Sequence, residues 1–252
     1  MHRDRGPERE INVAHIPDAI PRAEPRSRYG NPDSYAVNGQ RYFVKKSSQN
    51  YVKRGVASWY GKKFHGHRTS SGETYDMYAM TAAHKTLPLP TYVRVTHLQN
   101  GRSVIVKVND RGPFHDNRLI DLSYAAAKKL GITANGTGVV EVTAIDPFKH
   151  RTNKKTFQHK AVHQRIEAEQ AAQADPYSLY LQVGAFVSRA NAEQLLSRLH
   201  QQFAALNINA GFSPEKSLYR VRIGPLKSVA EADALAARIS NSGLANPHIV
   251  VD

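Results

Sequence analysis

Two carboxylic acids stand in loop-like motifs between positions 51 and 147, a region with few acidic residues. Glu73 lies in a run rich in Thr, Ser and Gly, and Asp110 directly follows a strand-like Val pattern and precedes Arg-Gly-Pro. A carboxylate at a strand end is held by a rigid scaffold and still faces a groove. Two such groups across a groove suit glycosidic bond cleavage, where a protonated acid serves the leaving oxygen and a second charge or nearby dipoles stabilise the oxocarbenium-like state.

The same residues also have simple structural explanations. Asp110 can cap a turn beside Arg111, Glu73 can be a surface residue, and His84 can fill a polar pocket instead of bonding a carboxylate or a substrate. Spacing alone favours these structural roles.

Other kinds of site find little support in the sequence. There is no phosphate-binding P-loop, no G-x-G-x-x-G and no H-E-x-x-H motif. His65 and His67 are the nearest approach to a metal-ligand pair, and a solvated loop explains them better. We therefore expect no metal and no cofactor.

Composition limits the class of protein. The chain has 252 residues, of which 40% are hydrophobic and 22% charged, so one large or two small folded domains are expected. The absence of cysteine excludes disulfides, a Cys nucleophile and thioether lipidation of these residues. No apolar run is long enough to span a membrane, and the first residues do not resemble a signal peptide.

The net charge of +14 is spread along the chain without a dense basic cluster. Nucleic-acid-binding proteins usually concentrate their positive charge on one face or helix. A diffuse excess suits any extended polyanion, including nucleic acid, anionic lipid head groups and an acidic cell-wall polymer.

Apolar patterning divides the chain into four parts. Residues 1–33 are rich in Pro, Arg and Glu and predict a disordered leader. Residues 34–147 combine several short strands with one helix near 123–130, which indicates a small β-barrel. Residues 148–176 predict a flexible linker. The order β-α-β-β-α-β in residues 177–252 predicts a ferredoxin-like domain whose helices cover one sheet face and leave the other free.

Several motifs together resemble the rare lipoprotein A family of septal peptidoglycan lytic transglycosylases. In the first domain they are 56–61 (VASWYG), 69–76 (TSSGETYD), 81–88 (TAAHKTLP), 108–114 (VNDRGPF) and 118–127 (RLIDLSYAAA). The second domain is similar to a SPOR domain through 181–186 (LQVGAF) and 219–225 (YRVRIGP). The resemblance implies a double-psi β-barrel followed by a ferredoxin-like SPOR domain, that is, a mainly β fold plus an α+β domain.

The resemblance also implies a reaction and its residues. Family members cleave the β-1,4 bond between N-acetylmuramic acid and N-acetylglucosamine without water, leaving a 1,6-anhydro end. The family's functional Glu, His and Asp fall on Glu73, His84 and Asp110. We expect Asp110 to act as the acid and base, and Glu73 and His84 to bind and polarise the sugar. The reverse division between Glu73 and Asp110 remains open.

Further residues are expected to bind substrate. Tyr75, Asn109 and Arg111 adjoin the carboxylates and are candidates for the groove, whereas the lone Trp59 is expected in the core. In the SPOR-like domain, strand alternation predicts Gln182, Arg220 and Arg222 on the open face, where amide and guanidinium groups suit sugar hydroxyls and lactyl carboxylates.

The resemblance places the protein in the bacterial periplasm at the division septum, bound to glycan strands without stem peptides. Divisome proteins are a further class of partner, and a monomer is expected. The acylated N-terminal Cys of the family is missing from these residues. Three alternatives stay open: a non-catalytic glycan-binding protein, an expansin-like loosening of polysaccharide packing, and a nucleic-acid binder.

Overall fold

The protein divides into two compact units, Met1–Asp175 and Pro176–Asp252. The structure, a computed structural model, describes residues 5–9, 11–115, 117–152 and 177–252.

The first unit contains a hairpin, a barrel and two short helices. The hairpin pairs β1 (Ser34–Val37) with β2 (Gln40–Phe43). The barrel strands are β3 (Val52–Tyr60), β4 (Thr81–His84), β5 (Thr91–His97), β6 (Ser103–Asp110), β7 (Ile120–Ser123) and β8 (Gly138–Ala144). The helices are α1 (Tyr124–Leu130) and α2 (Pro147–Thr152).

The six barrel strands close in the order β3-β7-β4-β6-β5-β8. Two of the pairs, β3 with β7 and β4 with β6, are parallel, and the others are antiparallel. The closed barrel confirms the predicted double-psi β-barrel. Its core follows from alternation, because Val104, Val106 and Val108 are fully buried along β6, and each such side chain contributes about 1.5–3 kcal/mol on burial.

Helix α1 begins and ends close to the predicted limits. The Ser123 hydroxyl accepts a hydrogen bond from the Ala126 backbone N–H, which satisfies a donor that the first turn leaves free. Gly131 ends the helix in the left-handed conformation, with φ of 84°.

The leader differs from the expectation of disorder. Its described residues lie along the barrel, where Val13 is buried in the barrel core and Asp18 forms an ion pair with Lys129 at 2.9 Å. The Ser27 backbone N–H also donates to the Leu89 carbonyl at 2.8 Å. The few apolar residues of the leader lack helical or strand periodicity, so only their contacts with the barrel reveal an ordered path.

The second unit is a four-stranded antiparallel sheet covered by two helices. Its elements are β9 (Leu179–Phe186), α3 (Arg189–Gln202), β10 (Ile208–Ser213), a 3₁₀ turn (Pro214–Lys216), β11 (Leu218–Leu226), α4 (Val229–Asn241) and β12 (His248–Val251). The strand order is β10-β11-β9-β12, which confirms the ferredoxin-like fold.

Both helices pack on the same face of this sheet. Leu199 of α3 and Ile239 of α4 share one core with Leu181 of β9 and Val221 of β11. The predicted capping box at the start of α4 is present, because the Ser228 hydroxyl accepts from the backbone N–H of Glu231.

Most of the predicted linker, 148–176, lies outside the described residues, and its first part is helix α2. Among the described residues, no helix combines the length and hydrophobicity needed to cross a membrane.

Candidate functional site

One row of residues crosses four neighbouring barrel strands. Ser58 on β3 pairs with Asp121 on β7, Asp121 pairs with Ala83 on β4, and Ala83 pairs with Asp110 on β6. Residues opposite each other in a sheet project from the same face, so the two aspartates share a face on either side of a small alanine. Because neighbouring strands are about 4.8 Å apart, their backbones are separated by about 10 Å.

A β-bulge in β6 gives Asp110 this orientation. Ala82 pairs with Val108 and Ala83 with Asp110, so Asn109 is an extra residue between the two pairs. Without the bulge, strict alternation would point Asp110 to the same side as the buried Val106 and Val108. Bulges of this kind re-aim side chains next to active sites.

The row forms the floor of a groove with a volume of about 570 Å³, hereafter the Asp110 groove. Besides the four residues of the row, its lining includes Trp59, Tyr60, Phe64, Arg111, Phe114, His115 and Arg118. Aromatic side chains beside a pair of carboxylates are suited to a sugar ring, whose apolar faces stack on aromatic rings and whose hydroxyls need polar partners.

Asp110 is held by three donors on one oxygen. Its Oδ1 accepts from the Ser70 N–H at 2.8 Å, the Ser70 hydroxyl at 2.6 Å and the Arg111 N–H at 2.7 Å. Across the part of the chain that the structure describes, Oδ2 receives no hydrogen bond. The carboxyl group is therefore fixed in orientation, and Oδ2 is the oxygen left for a substrate.

Arg111 connects the leader to the 84–87 turn. Its guanidinium donates to the carbonyls of Gly30, His84 and Leu87 at 2.8, 3.1 and 2.6 Å. A further bond joins it to Asn31 Oδ1 at 3.3 Å. Arg111 lines the Asp110 groove, but its donors hold the surrounding chain together.

Glu73 lies outside the lining of the Asp110 groove. Its Oε2 accepts from Asn109 Nδ2 at 2.8 Å, and its Oε1 pairs with Lys107 Nζ at 2.9 Å. These contacts tie the loop that carries Ser70 to β6. Glu73 and Asp110 are thus linked only indirectly, through the loop of Ser70.

His84 is buried, with only 2% of its surface exposed. Its Nδ1 accepts from the backbone N–H groups of Thr86 and Leu87 at 3.1 and 3.0 Å, so that nitrogen carries no proton. Nε2 then carries the hydrogen and donates to the Tyr51 hydroxyl at 2.9 Å. Burial, followed by nearby positive charges, of which Lys53 is the first, lowers the pKa of His84 to about 3 and keeps the ring neutral.

Comparison with known proteins agrees with this architecture. Residues 52–144 match the family model described as lytic transglycolase, and residues 175–250 match the SPOR domain model. A Pseudomonas aeruginosa (strain UCBPP-PA14) protein named endolytic peptidoglycan transglycosylase RlpA is 40% identical over 290 aligned residues, covering 99% of this chain and 84% of the relative. The chain belongs to the RlpA family.

Other relatives in the RlpA family match smaller parts of the chain. The Vibrio cholerae protein of the same name is 55% identical over 158 residues, which are 62% of this chain and 60% of that protein. Among solved structures, the RlpA SPOR domain from Pseudomonas aeruginosa is 37% identical, covers 29% of this chain and 96% of its own, and gives a TM-score of 0.25.

Two of the predicted groove residues are buried. Tyr75 is 2% exposed, stacks on Tyr60 with ring centroids 4.1 Å apart, and donates to the Tyr60 carbonyl. Asn109, also 2% exposed, is the bulge residue that holds Glu73. Trp59, expected in the core, is partly buried against Tyr124 and also lines the groove.

Asp121 is a functional candidate that the sequence motifs did not single out, although it lies in the 118–127 motif. The missing signal is its pairing with Ala83, which brings it to the side of Asp110. Alternation gave a local clue, because Asp121 stands between the buried Ile120 and Leu122 and must project from the other face of β7. Burial is the main reason why the pKa of the Tyr60 hydroxyl is raised, followed by the neighbouring Tyr75. The negative charges of the two aspartates raise this pKa further.

The SPOR-type unit presents the expected polar face. Gln182 pairs with Arg222 and with His248 across the sheet, so these residues project away from the helices. Arg220 and Arg222 line a groove of about 620 Å³ that also includes Tyr180 and the exposed Phe212. Arg222 contacts Asp252 and lies over the Tyr180 ring. Gln182 is next to this groove but does not line it.

His65 and His67 were the nearest approach to a metal-ligand pair in the sequence. His65 Nδ1 lies 3.6 Å from Asp76 Oδ1 and accepts the Met77 backbone N–H. Within the described ranges, no group of three His, Cys, Asp or Glu side chains is arranged to hold a metal ion.

Proposed function

We propose that this protein is a lytic transglycosylase that cleaves the bond between N-acetylmuramic acid and N-acetylglucosamine in peptidoglycan glycan strands. The observation that carries the proposal is the pairing of Asp110 and Asp121 across Ala83 in one aromatic-lined groove. Two carboxyl groups facing one cleft are the arrangement that glycosidic bond cleavage requires.

The proposed reaction is an intramolecular substitution. A protonated carboxyl group gives its proton to O4 of N-acetylglucosamine as the bond from that oxygen to C1 of N-acetylmuramic acid breaks. The C6 hydroxyl of the same muramyl residue then bonds to C1, and its proton passes to the carboxylate, which regains its starting form. No water is consumed. Because the nucleophile belongs to the substrate, positioning supplies much of the rate gain.

We assign the proton transfers to Asp110. Its Oδ1 is held by Ser70 and by the Arg111 N–H, so Oδ2 has one defined direction in which to carry the proton. Asp121, whose Oδ1 is buried, supplies the second carboxylate of the Asp110 groove. This carboxylate stabilises the positive charge that develops on the muramyl ring.

Glu73 and His84 fit positioning roles better than direct contact with the sugar. Glu73 fixes the loop of Ser70 against β6. The His84 side chain accepts hydrogen bonds from two backbone N–H groups of the 84–87 turn. Two carbonyls of the same turn accept hydrogen bonds from the Arg111 guanidinium. This differs from the expectation that both side chains polarise the substrate.

The SPOR-type unit is proposed to bind the same polymer. The guanidinium groups of Arg220 and Arg222 and the amide of Gln182 offer charge and hydrogen bonds to glycan, and the Tyr180 ring lies on the same open face. RlpA relatives are named peptidoglycan transglycosylases, so we place the protein in the cell envelope. Its finer location is proposed to be the periplasm at the septum, on strands without stem peptides and with divisome proteins as a further class of partner.

Digestion of purified peptidoglycan tests the activity. The wild-type protein is incubated with sacculi and with peptide-free glycan strands, and new chain ends are analysed by mass spectrometry. New 1,6-anhydromuramyl ends that disappear with Asp110→Asn support the proposal. Strong binding without new ends would instead make the protein a non-catalytic glycan binder, and solubility changes without new ends would indicate expansin-like loosening.

A further inference from the structure

A second cleft of about 490 Å³ adjoins the Asp110 groove, and its charge is entirely positive. Its lining includes Lys45, Lys53, Lys85 and Arg118, together with Tyr51 and His84 and several neutral residues. All of its lining residues are described by the structure, and none of them is acidic. We call this feature the lysine cleft.

The lysine cleft is continuous with the proposed catalytic site. Arg118 lines both the cleft and the Asp110 groove. Lys85 Nζ, in the cleft, donates to the carbonyl of this shared Arg118 at 2.8 Å. A group bound in the cleft would therefore belong to the reacting sugar or to its neighbour along the strand.

Positive charges of the cleft and of the neighbouring Arg111 act together on His84. After burial, the charges of Lys53, Arg111, Lys85 and Lys45 all contribute to the low pKa of His84. Lys45 Nζ also lies 5.9 Å from the centre of the Tyr51 ring, and its backbone N–H is fixed to the Thr86 carbonyl. Such a concentration of positive charge attracts an anion.

The Tyr51 hydroxyl adds a directed donor. His84 donates its Nε2 hydrogen to Tyr51, so the hydroxyl hydrogen must point away from the imidazole. Among the described residues, no acceptor takes this hydrogen. Burial raises the pKa of Tyr51, so the hydroxyl remains a donor at neutral pH. Cations around one oriented O–H group suit a carboxylate.

We propose that the lysine cleft binds the free lactyl carboxylate of a muramyl residue in the glycan strand. This inference rests on the proposed function, because it takes that strand as the substrate. The lactyl group is attached to the sugar ring itself, so its carboxylate lies within the reach of a cleft next to the Asp110 groove. A stem peptide converts this carboxylate into a neutral amide and moves the nearest remaining carboxylates further from the ring.

The cleft would then distinguish stripped glycan from peptide-bearing glycan at the catalytic domain. A carboxylate gains charge-assisted hydrogen bonds there, whereas a neutral amide gains no such charge assistance. This selection is separate from any selection by the SPOR-type unit.

The test compares two substrates and two proteins in one cycle. The substrates are peptide-free glycan strands and the same strands after carbodiimide coupling of the lactyl carboxylates to methylamine. The proteins are the full wild-type chain and the variant Lys45→Gln/Lys53→Gln, whose two exposed side chains can be replaced without disturbing the core. Initial rates of 1,6-anhydro end formation give kcat/KM for each combination.

We expect amidation to lower kcat/KM of the wild type by about tenfold more than that of the variant, as two solvent-accessible ion pairs together provide. Any effect of amidation on the SPOR-type unit is common to both proteins and cancels in this comparison. The charge-matched control Lys46→Gln/Arg94→Gln, at exposed positions outside the cleft, should behave like the wild type.

Two results would overturn the inference while leaving the proposed function intact. One is an equal effect of amidation on wild type and variant, with normal anhydro ends in both. The other is a lysine-dependent preference for the amidated strands, which would show that the cleft does not favour a free lactyl carboxylate. Failure of the proposed function itself is distinct, because the wild type would then release no anhydro ends from any substrate.

Discussion

Asp110 and Asp121 flank Ala83 in a single row across β6, β4 and β7, and both line the same groove. They are 11 positions apart in the sequence, and the β4 strand between them comes from an earlier part of the chain. The parallel pairing of β4 with β6 and its antiparallel pairing with β7 create this relationship. The bulge at Asn109 completes it by turning Asp110 to the groove side.

Replacement of Asp121 tests its role in the reaction. Asp121→Asn keeps the size of the side chain but removes its negative charge. We expect the rate of anhydro end formation to fall by about 100-fold, the scale of losing an electrostatic stabiliser of the transition state. Binding to sacculi should not change. The matched control is Asp146→Asn, which should retain full activity. Asp146 lies at the end of the barrel, and its carboxylate accepts a hydrogen bond from the Phe148 backbone N–H.

Glu73 is predicted to matter less than either aspartate. Glu73→Gln can keep its bond to Asn109 but loses the ion pair with Lys107, which loosens the loop that carries Ser70. We expect kcat to fall about tenfold with little change in KM, since positioning errors reduce the rate more than binding. Steady-state kinetics on soluble glycan strands measures this division. A loss as large as that of Asp110→Asn would show that Glu73 contacts the substrate.

Burial of neutral His84 predicts a pH-dependent stability. The folded protein keeps His84 unprotonated down to about pH 3, whereas the unfolded chain takes up a proton near the ordinary value of 6.5. Between these values the unfolded state binds more protons, so the free energy of unfolding falls as the pH is lowered. From pH 6.5 to about pH 4.5 this one group accounts for a loss on the order of 2–3 kcal/mol.

The variant His84→Asn isolates this contribution. Its Oδ1 can still accept the backbone N–H groups of Thr86 and Leu87, but it cannot be protonated in this range. Urea unfolding at the two pH values should show a smaller loss of stability in the variant than in the wild type. Identical losses would contradict the buried, neutral state of His84.

Arg220 is predicted to contribute to glycan binding by the second unit. In the described part of the chain its guanidinium group forms no hydrogen bond or ion pair, and the side chain lines the groove on the open sheet face. Arg220→Gln should weaken co-sedimentation of the full chain with sacculi several-fold and leave cleavage of short soluble strands unchanged. Arg198→Gln removes the same charge from the exposed side of α3 and serves as the control. Equal binding by both variants would argue against the open face as the binding surface.

Local patterns predicted the elements of this fold well. The alternating valines of β6, the cap at Ser123 and the capping box at Ser228 depend on neighbours within a few residues, and all are present. The resemblance of five motifs supplied the closed barrel, which periodicity alone did not specify. The path of the leader depends on burial of isolated residues such as Val13 against distant strands, and no local pattern carries that information.

The site was predicted less completely than the fold. Asp110 lies in the expected groove, but no local pattern indicates the bulge at Asn109 or the partner of Ala83 on β7. Tyr75 and Asn109 adjoin the acidic residues in the sequence, yet their side chains pack inward. Adjacency along the chain indicates proximity of backbones, whereas the face that a side chain occupies depends on register.

The most direct test of the proposed reaction is whether oxygen from water enters the new chain ends. Peptide-free glycan strands are digested by the wild-type protein in water enriched in oxygen-18, and the new ends are analysed by mass spectrometry. We expect 1,6-anhydromuramyl ends that contain no heavy oxygen, because the muramyl C6 hydroxyl is the nucleophile. New reducing ends labelled with oxygen-18 would contradict this expectation, since water would then be the attacking group.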